Sequence, residues 1–179
     1  MRSEENLVWI DLEMTGLNPE EDRILEMAAI VSDKDLNIIA ESEVFIINQD
    51  KKILENMNEW CKNQHGKNGL IEKVLASKLD EKSAENQMLE FLQKYCYKNK
   101  SPLCGNSIWQ DRRFLCKYMP ELESFFHYRN IDVSSVKELA KRWYPEAKQY
   151  KKNNNHRALD DIRESIQELD FYRKELFKK

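Results

Sequence analysis

The sequence has 179 residues, of which 41% are hydrophobic and 34% charged, and its formal net charge is −3. This length suits one compact domain with a sizeable core, and we expect a single domain over residues 1–179. The small negative charge argues against binding long nucleic acid through a broad basic face. No apolar run reaches the ~18 residues of a membrane span, so we expect no membrane partner.

The cysteines and the first residues indicate the compartment. The segment 1–6 is polar and acidic and does not resemble a signal peptide. None of the four cysteines lies in a C-x-x-C pair or in zinc-ligand spacing with a histidine. We therefore expect reduced thiols in a cytoplasmic protein.

Charge is distributed unevenly along the chain. Residues 1–50 hold 13 acidic and 3 basic side chains, whereas residues 137–157 hold 7 basic and 2 acidic ones. An acidic part and a basic segment are expected where metal ions lie on one side of a site and phosphates on the other.

The apolar pattern predicts three strands, then mostly helices. We expect strands over residues 7–10, 24–31, 38–47, 102–105 and 128–133, with a turn over residues 15–19. We expect helices over residues 51–62, 70–77, 81–97, 107–118, 136–143 and 159–177. The short spacing of the first three strands predicts a meander. The whole order predicts an α/β fold, with a mixed β-sheet flanked by helices.

Asp11 and Glu13 stand two residues apart at the end of the first strand. Residues i and i+2 of a strand share a face, with Cα atoms roughly 6.5 Å apart. Two partly buried carboxylates repel each other unless a cation lies between them, and hard divalent cations take such oxygen ligands. The pair alone fits equally well two solvated acids at a strand end.

Three further residues are ambiguous when each is taken alone. Asp111 opens a predicted helix, where an acid commonly interacts with the helix dipole. Asp161 lies in an acidic first turn that the same dipole favours. His156 precedes that helix, and a lone histidine there is more often structural or solvated than catalytic.

In order, however, these residues resemble the three exonuclease motifs of the DEDDh group. The motifs are Asp11-Leu12-Glu13 with Thr15-Gly16, then Asn106 with Asp111, then His156-x-Ala158-x-x-Asp161. Their flanks, over residues 9–17, 128–134 and 156–165, resemble the oligoribonuclease family specifically. The similarity covers essentially the whole chain.

This resemblance implies a ribonuclease H-like fold, a homodimer, and 3′→5′ hydrolysis of very short RNA down to dinucleotides. It implies two divalent cations, Mg²⁺ or Mn²⁺, with Asp11, Glu13, Asp111 and Asp161 as ligands. His156 would activate the attacking water, since a neutral histidine with a pKa of about 6.5 can accept a proton.

The resemblance also implies substrate contacts. Leu17 and Trp60 would stack on the bases, although both also fit a place in the core. Polar contacts would come from His65, Ser107 and Gln110. The 5′ end would be enclosed by Tyr128, Arg129 and Ser134, the first two reaching in from the partner subunit. The stretch from 145 to 155 is slightly shorter than expected for the family, and its lysines and asparagines are typical of a loop.

Two other functions remain open at this stage. A DNA-trimming or proofreading exonuclease of the same group would carry the same carboxylates without needing the residues around the 5′ end. A binding module that kept the fold would have no reason to hold so much negative charge near a phosphate.

Overall fold

A mixed β-sheet lies at the centre of the computed structural model, which describes residues 1–151 and 157–177. Its strands within these residues are β1 (Leu7–Met14), β2 (Ile24–Ser32), β3 (Ile38–Glu41), β4 (Phe45–Ile46), β5 (Leu103–Gly105) and β6 (Asn130–Asp132). The strand order is β3-β2-β1-β5-β6, and β4 pairs with β2. β1 runs antiparallel to β2 and parallel to β5, and β5 runs parallel to β6.

Helices cover both faces of this sheet. They are α1 (Lys51–Glu55), α2 (Glu59–Lys67), α3 (Leu70–Ala76), α4 (Glu81–Gln93), α5 (Trp109–Tyr118), α6 (Pro120–Glu123), α7 (Val133–Trp143) and α8 (Ala158–Leu176). α8 packs against β1 and β2, and α7 packs against α8. No helix among the described residues is long and apolar enough to cross a membrane.

The alternation of side chains along β1 divides the core into two layers. Val8, Ile10 and Leu12 pack into a cluster with residues of α4 and α5. Trp9 packs on the other face with residues of α8. Because strand side chains alternate between faces, the odd-numbered Asp11 and Glu13 point to the side that α8 covers.

The predicted α/β architecture and the meander of β1, β2 and β3 are confirmed. β1 is longer than predicted and contains both carboxylates. The expected strand over residues 38–47 is wrong in one respect, because it divides into β3 and β4. The Ser42 hydroxyl accepts a hydrogen bond from Ala29 N–H at 2.9 Å, replacing regular strand pairing there.

Side-chain caps account for two errors in the predicted helices. The helix expected over residues 51–62 is two helices, because Asn58 accepts from Cys61 N–H and begins α2. α7 begins at Val133 rather than 136, because Asp132 accepts from Ser134 N–H. Such caps satisfy backbone donors at a helix start. α4 ends at Gln93, earlier than predicted, β6 is shorter, and α6 was not predicted.

Candidate active site

Three carboxylates converge where β1 meets the start of α8. Oxygen atoms of Asp11, Glu13 and Asp161 all lie within 4.8 Å of one another. Asp11 and Glu13 come from one face of β1, and Asp161 from the first turn of α8. Oxygen ligands grouped in this way fit a hard divalent cation.

Asp111 joins this group from the first turn of α5. Its Oδ1 accepts a hydrogen bond at 3.0 Å from the backbone N–H of Leu12, the residue between Asp11 and Glu13. The Asp111 side chain is buried. Asp111 is thus a close neighbour of Asp11, but it lies outside the group of three acids whose oxygens fall within 4.8 Å of one another.

The pKa values of three of these acids, Asp11, Glu13 and Asp111, are raised. Burial, and then the neighbouring acids Asp111 and Glu13, raise the pKa of Asp11 well above its ordinary value. Burial raises the pKa of Glu13 to about 8, with Glu26 as the next cause, and raises the pKa of Asp111 to about 7. A cation that compensates the charge would displace these protons, so the donor set fits divalent metal ions.

Glu26 is an acidic neighbour that the motifs do not include. It is the cross-strand partner of Glu13 in the β1–β2 pairing. Its Oε1 accepts from the backbone N–H of Ala158, at the start of α8, at 3.4 Å. The only signal in the sequence was an acid inside the apolar strand β2, which is too weak to assign a role.

A groove opens beside Glu13. Its lining includes Leu12, Met14, Leu17, Trp60 and His65, and its volume of about 540 Å³ is in the range of small-molecule sites. The side chains of Leu17 and Trp60 are 69% and 67% exposed. Their alternative assignment to the core is therefore wrong, and both are free to contact a ligand.

A tight turn presents Leu17 to this groove. The Asp22 carboxylate accepts from the Thr15 hydroxyl and from Asn18 N–H, both at 2.9 Å. Gly16 lies against this carboxylate, and a Cβ there would come within 2.4 Å of Asp22 Oδ2. Gln110 completes the turn, because its Nε2 donates to the carbonyl of Leu17 at 2.5 Å.

Protein contacts occupy Gln110 and the Nε2 atom of His65, whereas the buried His65 Nδ1 has no hydrogen-bond partner among the described residues. Gln110 Oε1 also accepts from Arg113 at 2.9 Å, so both ends of its amide have protein partners. His65 Nε2 donates to the carbonyl of Met14 at 2.9 Å, and Nδ1 lies 3.9 Å from Glu13 Oε2. Burial lowers the pKa of His65, so its neutral form presents Nδ1 towards Glu13 as an acceptor.

Ser107 and Ser134 meet at a second polar centre. The Ser107 N–H donates to Asp132 Oδ1 and to Ser134 Oγ, both at 3.0 Å. Ser107 has a φ of 51°, and these two bonds hold this otherwise unfavourable backbone conformation. The two hydroxyl groups are 3.2 Å apart.

Asn106 connects this pair to α8. Its Oδ1 accepts from Ser134 Oγ at 3.1 Å, and its Nδ2 donates to Ser165 Oγ at 2.8 Å and to the buried Glu168 at 3.2 Å. Ser165 Oγ in turn donates to the carbonyl of Asp161 at 2.9 Å. A continuous chain of hydrogen bonds thus runs from the serines to the backbone of a candidate metal ligand.

Tyr128 and Arg129 lie elsewhere. The Tyr128 side chain is 72% exposed and borders a cavity with Lys98 and Asn99. It is not among the residues that line the groove beside Glu13. His156 lies outside the described residues, and the structure resumes at Arg157, directly before α8.

Comparison with known proteins identifies the family. A family profile described as "Exonuclease" matches residues 8–169. The oligoribonuclease of Haemophilus influenzae (strain PittGG) is 59% identical over 175 residues, covering 97% of this chain and 96% of that protein. The oligoribonuclease of Marinobacter nauticus is 58% identical over 179 residues, covering 99% of both chains.

The chain belongs to the oligoribonuclease family of exonucleases. It is accordingly a nuclease, a hydrolase of phosphodiester bonds. This membership confirms the resemblance drawn from the motifs and their flanks.

Solved structures support the fold of this oligoribonuclease-family chain. Escherichia coli exonuclease I, in complex with a dA16 oligonucleotide, superposes with a TM-score of 0.73 at 18% identity. Exonuclease I from Methylocaldum szegediense superposes with a TM-score of 0.71 at 19% identity. The match covers 96% and 97% of this chain but only 41% of each exonuclease I chain. The predicted ribonuclease H-like sheet is confirmed.

Proposed function

We propose that this protein is a 3′→5′ exoribonuclease that hydrolyses very short oligoribonucleotides, dinucleotides in particular, to 5′-mononucleotides. The convergence of Asp11, Glu13 and Asp161 within 4.8 Å, with Asp111 bonded to the same strand, carries the proposal. The names of its relatives supply the substrate class.

Asp11, Glu13, Asp111 and Asp161 are the proposed ligands of two divalent cations, Mg²⁺ or Mn²⁺. Asp11 would be central to holding them, because burial and then the neighbouring acids Asp111, Glu13 and Asp161 raise its pKa. Bound cations would supply neutralisation of the phosphoryl charge and acidification of the attacking water. Four carboxylates compensate two dications without adding a large excess of either sign.

His156 is the proposed general base that takes the proton from the attacking water. It directly precedes Arg157, whose carbonyl accepts from Asp161 N–H at 2.9 Å. The sequence therefore ties the base to the same helix start as a proposed metal ligand. Neutral imidazole is required for this role, so activity should rise with pH as His156 loses its proton.

Selectivity for short RNA would come from a substrate site that is closed around the 5′ end, and not from the charge of the protein surface. Leu17 and Trp60 offer exposed apolar surfaces for bases, and stacking on such surfaces is tolerant of base identity. Ser134 is proposed to help enclose the 5′ end, where a longer chain would place another phosphate and base, and Ser107, 3.2 Å from it, to contact polar groups of the substrate. A closed end discriminates by excluding longer substrates.

The proposed assembly is a homodimer in which each subunit lends Tyr128 and Arg129 to its partner. Tyr128 supports this arrangement because it is exposed and lies apart from the groove of its own subunit. The proposed compartment is the cytoplasm, consistent with four free cysteines.

The deciding experiment follows cleavage of a 5′-labelled dinucleotide with Mg²⁺, with Mn²⁺ and with chelator. We expect hydrolysis only with a divalent ion, and its loss in Asp11→Ala with the fold retained by circular dichroism. Unchanged activity in Asp11→Ala would reject the site. Equal rates on dinucleotides, tetranucleotides and longer RNA or DNA would instead favour a general trimming exonuclease.

A further inference from the structure

The Arg112 side chain makes five hydrogen bonds beside the candidate site, yet none of the motifs assigns it a role. Its Nε and Nη2 donate to Glu123 Oε1 at 2.9 and 2.8 Å. Its Nη1 donates to the carbonyls of His127 and Tyr128, both at 3.1 Å, and to Asn130 Oδ1 at 2.6 Å. All three guanidinium nitrogens are therefore engaged.

These bonds fix the path of the chain over residues 127–130. A planar guanidinium offers donors in a rigid fork, which a flexible lysine ammonium does not reproduce. Glu123 accepts from Nε and Nη2 and so fixes the orientation of the guanidinium plane. Nη1, on the other side, donates to the successive carbonyls of His127 and Tyr128. The Arg112 side chain is only 15% exposed, so water competes weakly for these bonds.

The segment held in this way carries Tyr128 and Arg129, which are both exposed. The Arg129 guanidinium lies 5.2 Å from the centroid of the Tyr128 ring, and the His127 and Tyr128 rings are 4.4 Å apart. This stack has no support from the groove beside Glu13, since none of its members lines that groove. Arg112 bonds to the carbonyls of His127 and Tyr128 beneath this stack, and His127 Nδ1 accepts from Arg129 N–H within the segment at 3.2 Å.

We propose that Arg112 is a positioning residue that acts across the subunit interface. It holds the segment 127–130 so that Tyr128 and Arg129 enter the active site of the partner subunit. This inference rests on the proposed dimeric exoribonuclease. Neighbouring residues of α5 would then contribute to different active sites. Asp111 would bind metal in its own subunit, and Arg112 would position Tyr128 and Arg129 for the site of the partner subunit.

A mixed dimer of two impaired subunits tests this directly. Asp11→Ala and Arg112→Ala chains with different affinity tags are co-expressed, and the mixed dimer is purified through both tags. The Arg112→Ala subunit then keeps its carboxylates and receives Tyr128 and Arg129 from a subunit in which Arg112 is intact. One complete site per dimer should give about half the dinucleotide activity of the wild-type dimer.

The two parent homodimers set the baseline. We expect Asp11→Ala to be inactive, and Arg112→Ala to lose roughly 10–100-fold in kcat/KM on dinucleotides, mostly through a higher KM. Arg112→Lys should recover only part of this loss, because lysine lacks the fork. The matched control Arg173→Ala removes a partly exposed arginine of α8 that pairs with Asp170 and should leave activity unchanged.

The possible failures are distinguishable. A mixed dimer no more active than the mean of its parents would show that Arg112 acts within its own subunit and would overturn the proposal. An Arg112→Ala homodimer with wild-type kinetics would do the same. A monomeric mass in light scattering would reject the dimer itself, and this role with it, while leaving the metal-site tests unaffected.

Discussion

The carboxylate of Asp111 accepts a hydrogen bond at 3.0 Å from the backbone N–H of Leu12. This bond joins the first turn of α5 to β1 at Leu12, the residue between Asp11 and Glu13. The Asp111 side chain therefore has two roles: it accepts the hydrogen bond from Leu12, and it is proposed to bind a metal ion. Suitable substitutions can remove one role and keep the other.

Asp111→Asn should keep the fold and lose the reaction. The asparagine Oδ1 can still accept from Leu12, whereas the lost charge weakens cation binding. We expect kcat to fall roughly 10²-fold or more, with little change in the melting temperature of the metal-free protein. Asp111→Ala should in addition destabilise the fold by about 1–3 kcal/mol, because the buried Leu12 N–H loses its partner. Equal melting temperatures for Asn and Ala variants would contradict this.

The stability of the metal-free protein should fall as pH rises. Glu13 has an ordinary pKa of 4.5 and a raised pKa of about 8 in the fold, so the folded state binds its proton more tightly than the unfolded state. The tighter proton binding stabilises the folded state fully when the pH is below 4.5, the ordinary pKa of Glu13. This stabilisation is lost as the pH rises through the folded-state pKa of about 8. Asp111, with a pKa of about 7, acts in the same direction.

Melting temperatures between pH of about 5 and 9, with and without Mg²⁺ or Mn²⁺, measure this effect. The gain from added metal should increase with pH, since binding displaces protons. Glu13→Gln removes one of the titrating groups and should flatten the metal-free curve. A wild-type melting temperature that stays constant or rises with pH in the metal-free protein, or a fall in Glu13→Gln as steep as in the wild type, would be inconsistent with the raised pKa values.

Removing the Asn106 side chain should weaken selection for short substrates more than it weakens the reaction itself. Asn106→Ala cuts the hydrogen-bond chain between Ser134 and Ser165 but leaves all four carboxylates in place. We expect KM for a dinucleotide to rise roughly 10-fold, the ratio of dinucleotide to tetranucleotide cleavage to fall, and kcat to change less. Ser124→Ala, on the exposed end of α6, is a matched control. A pure loss of kcat at constant length preference would contradict the assignment.

How far the sequence predicts this site depends on how local its determinants are. Asp11 and Glu13 could be placed on one face of a strand because side chains alternate with a period of two. The sequence of the strand alone could not predict that α8 packs on the face that carries Asp11 and Glu13. The assignment follows from Trp9, which packs against α8 on the same side of the sheet.

Contacts that depend on tertiary structure could not be predicted. The carbonyls of His127 and Tyr128 that Arg112 binds carry no sequence signal, since every residue has a carbonyl group. The division of residues 38–47 into β3 and β4 depends on Ser42 reaching Ala29 in a neighbouring strand. The placement of His156 remains a prediction from the motif.

The turn that presents Leu17 offers a last test, through a pair of glycine substitutions. In Gly16→Ala the new Cβ would lie 2.4 Å from Asp22 Oδ2, and Asp22 cannot withdraw without releasing Thr15 and Asn18. The turn should therefore shift and move Leu17 away from the groove. Because burying a leucine side chain contributes about 1.5–3 kcal/mol, we expect the loss of this contact to raise KM for dinucleotides roughly 10–100-fold.

Gly66→Ala is the matched control, since the nearest atom to its new Cβ would be Ile71 Cδ1 at 3.9 Å. Gly66 lies inside α2, the helix that carries Trp60 and His65, where alanine is favoured over glycine by about 1 kcal/mol. Gly66→Ala should thus raise the melting temperature slightly and leave KM unchanged. If both variants shifted KM equally, the effect would lie in the groove as a whole, and the turn at Gly16 would have no separate part in presenting Leu17.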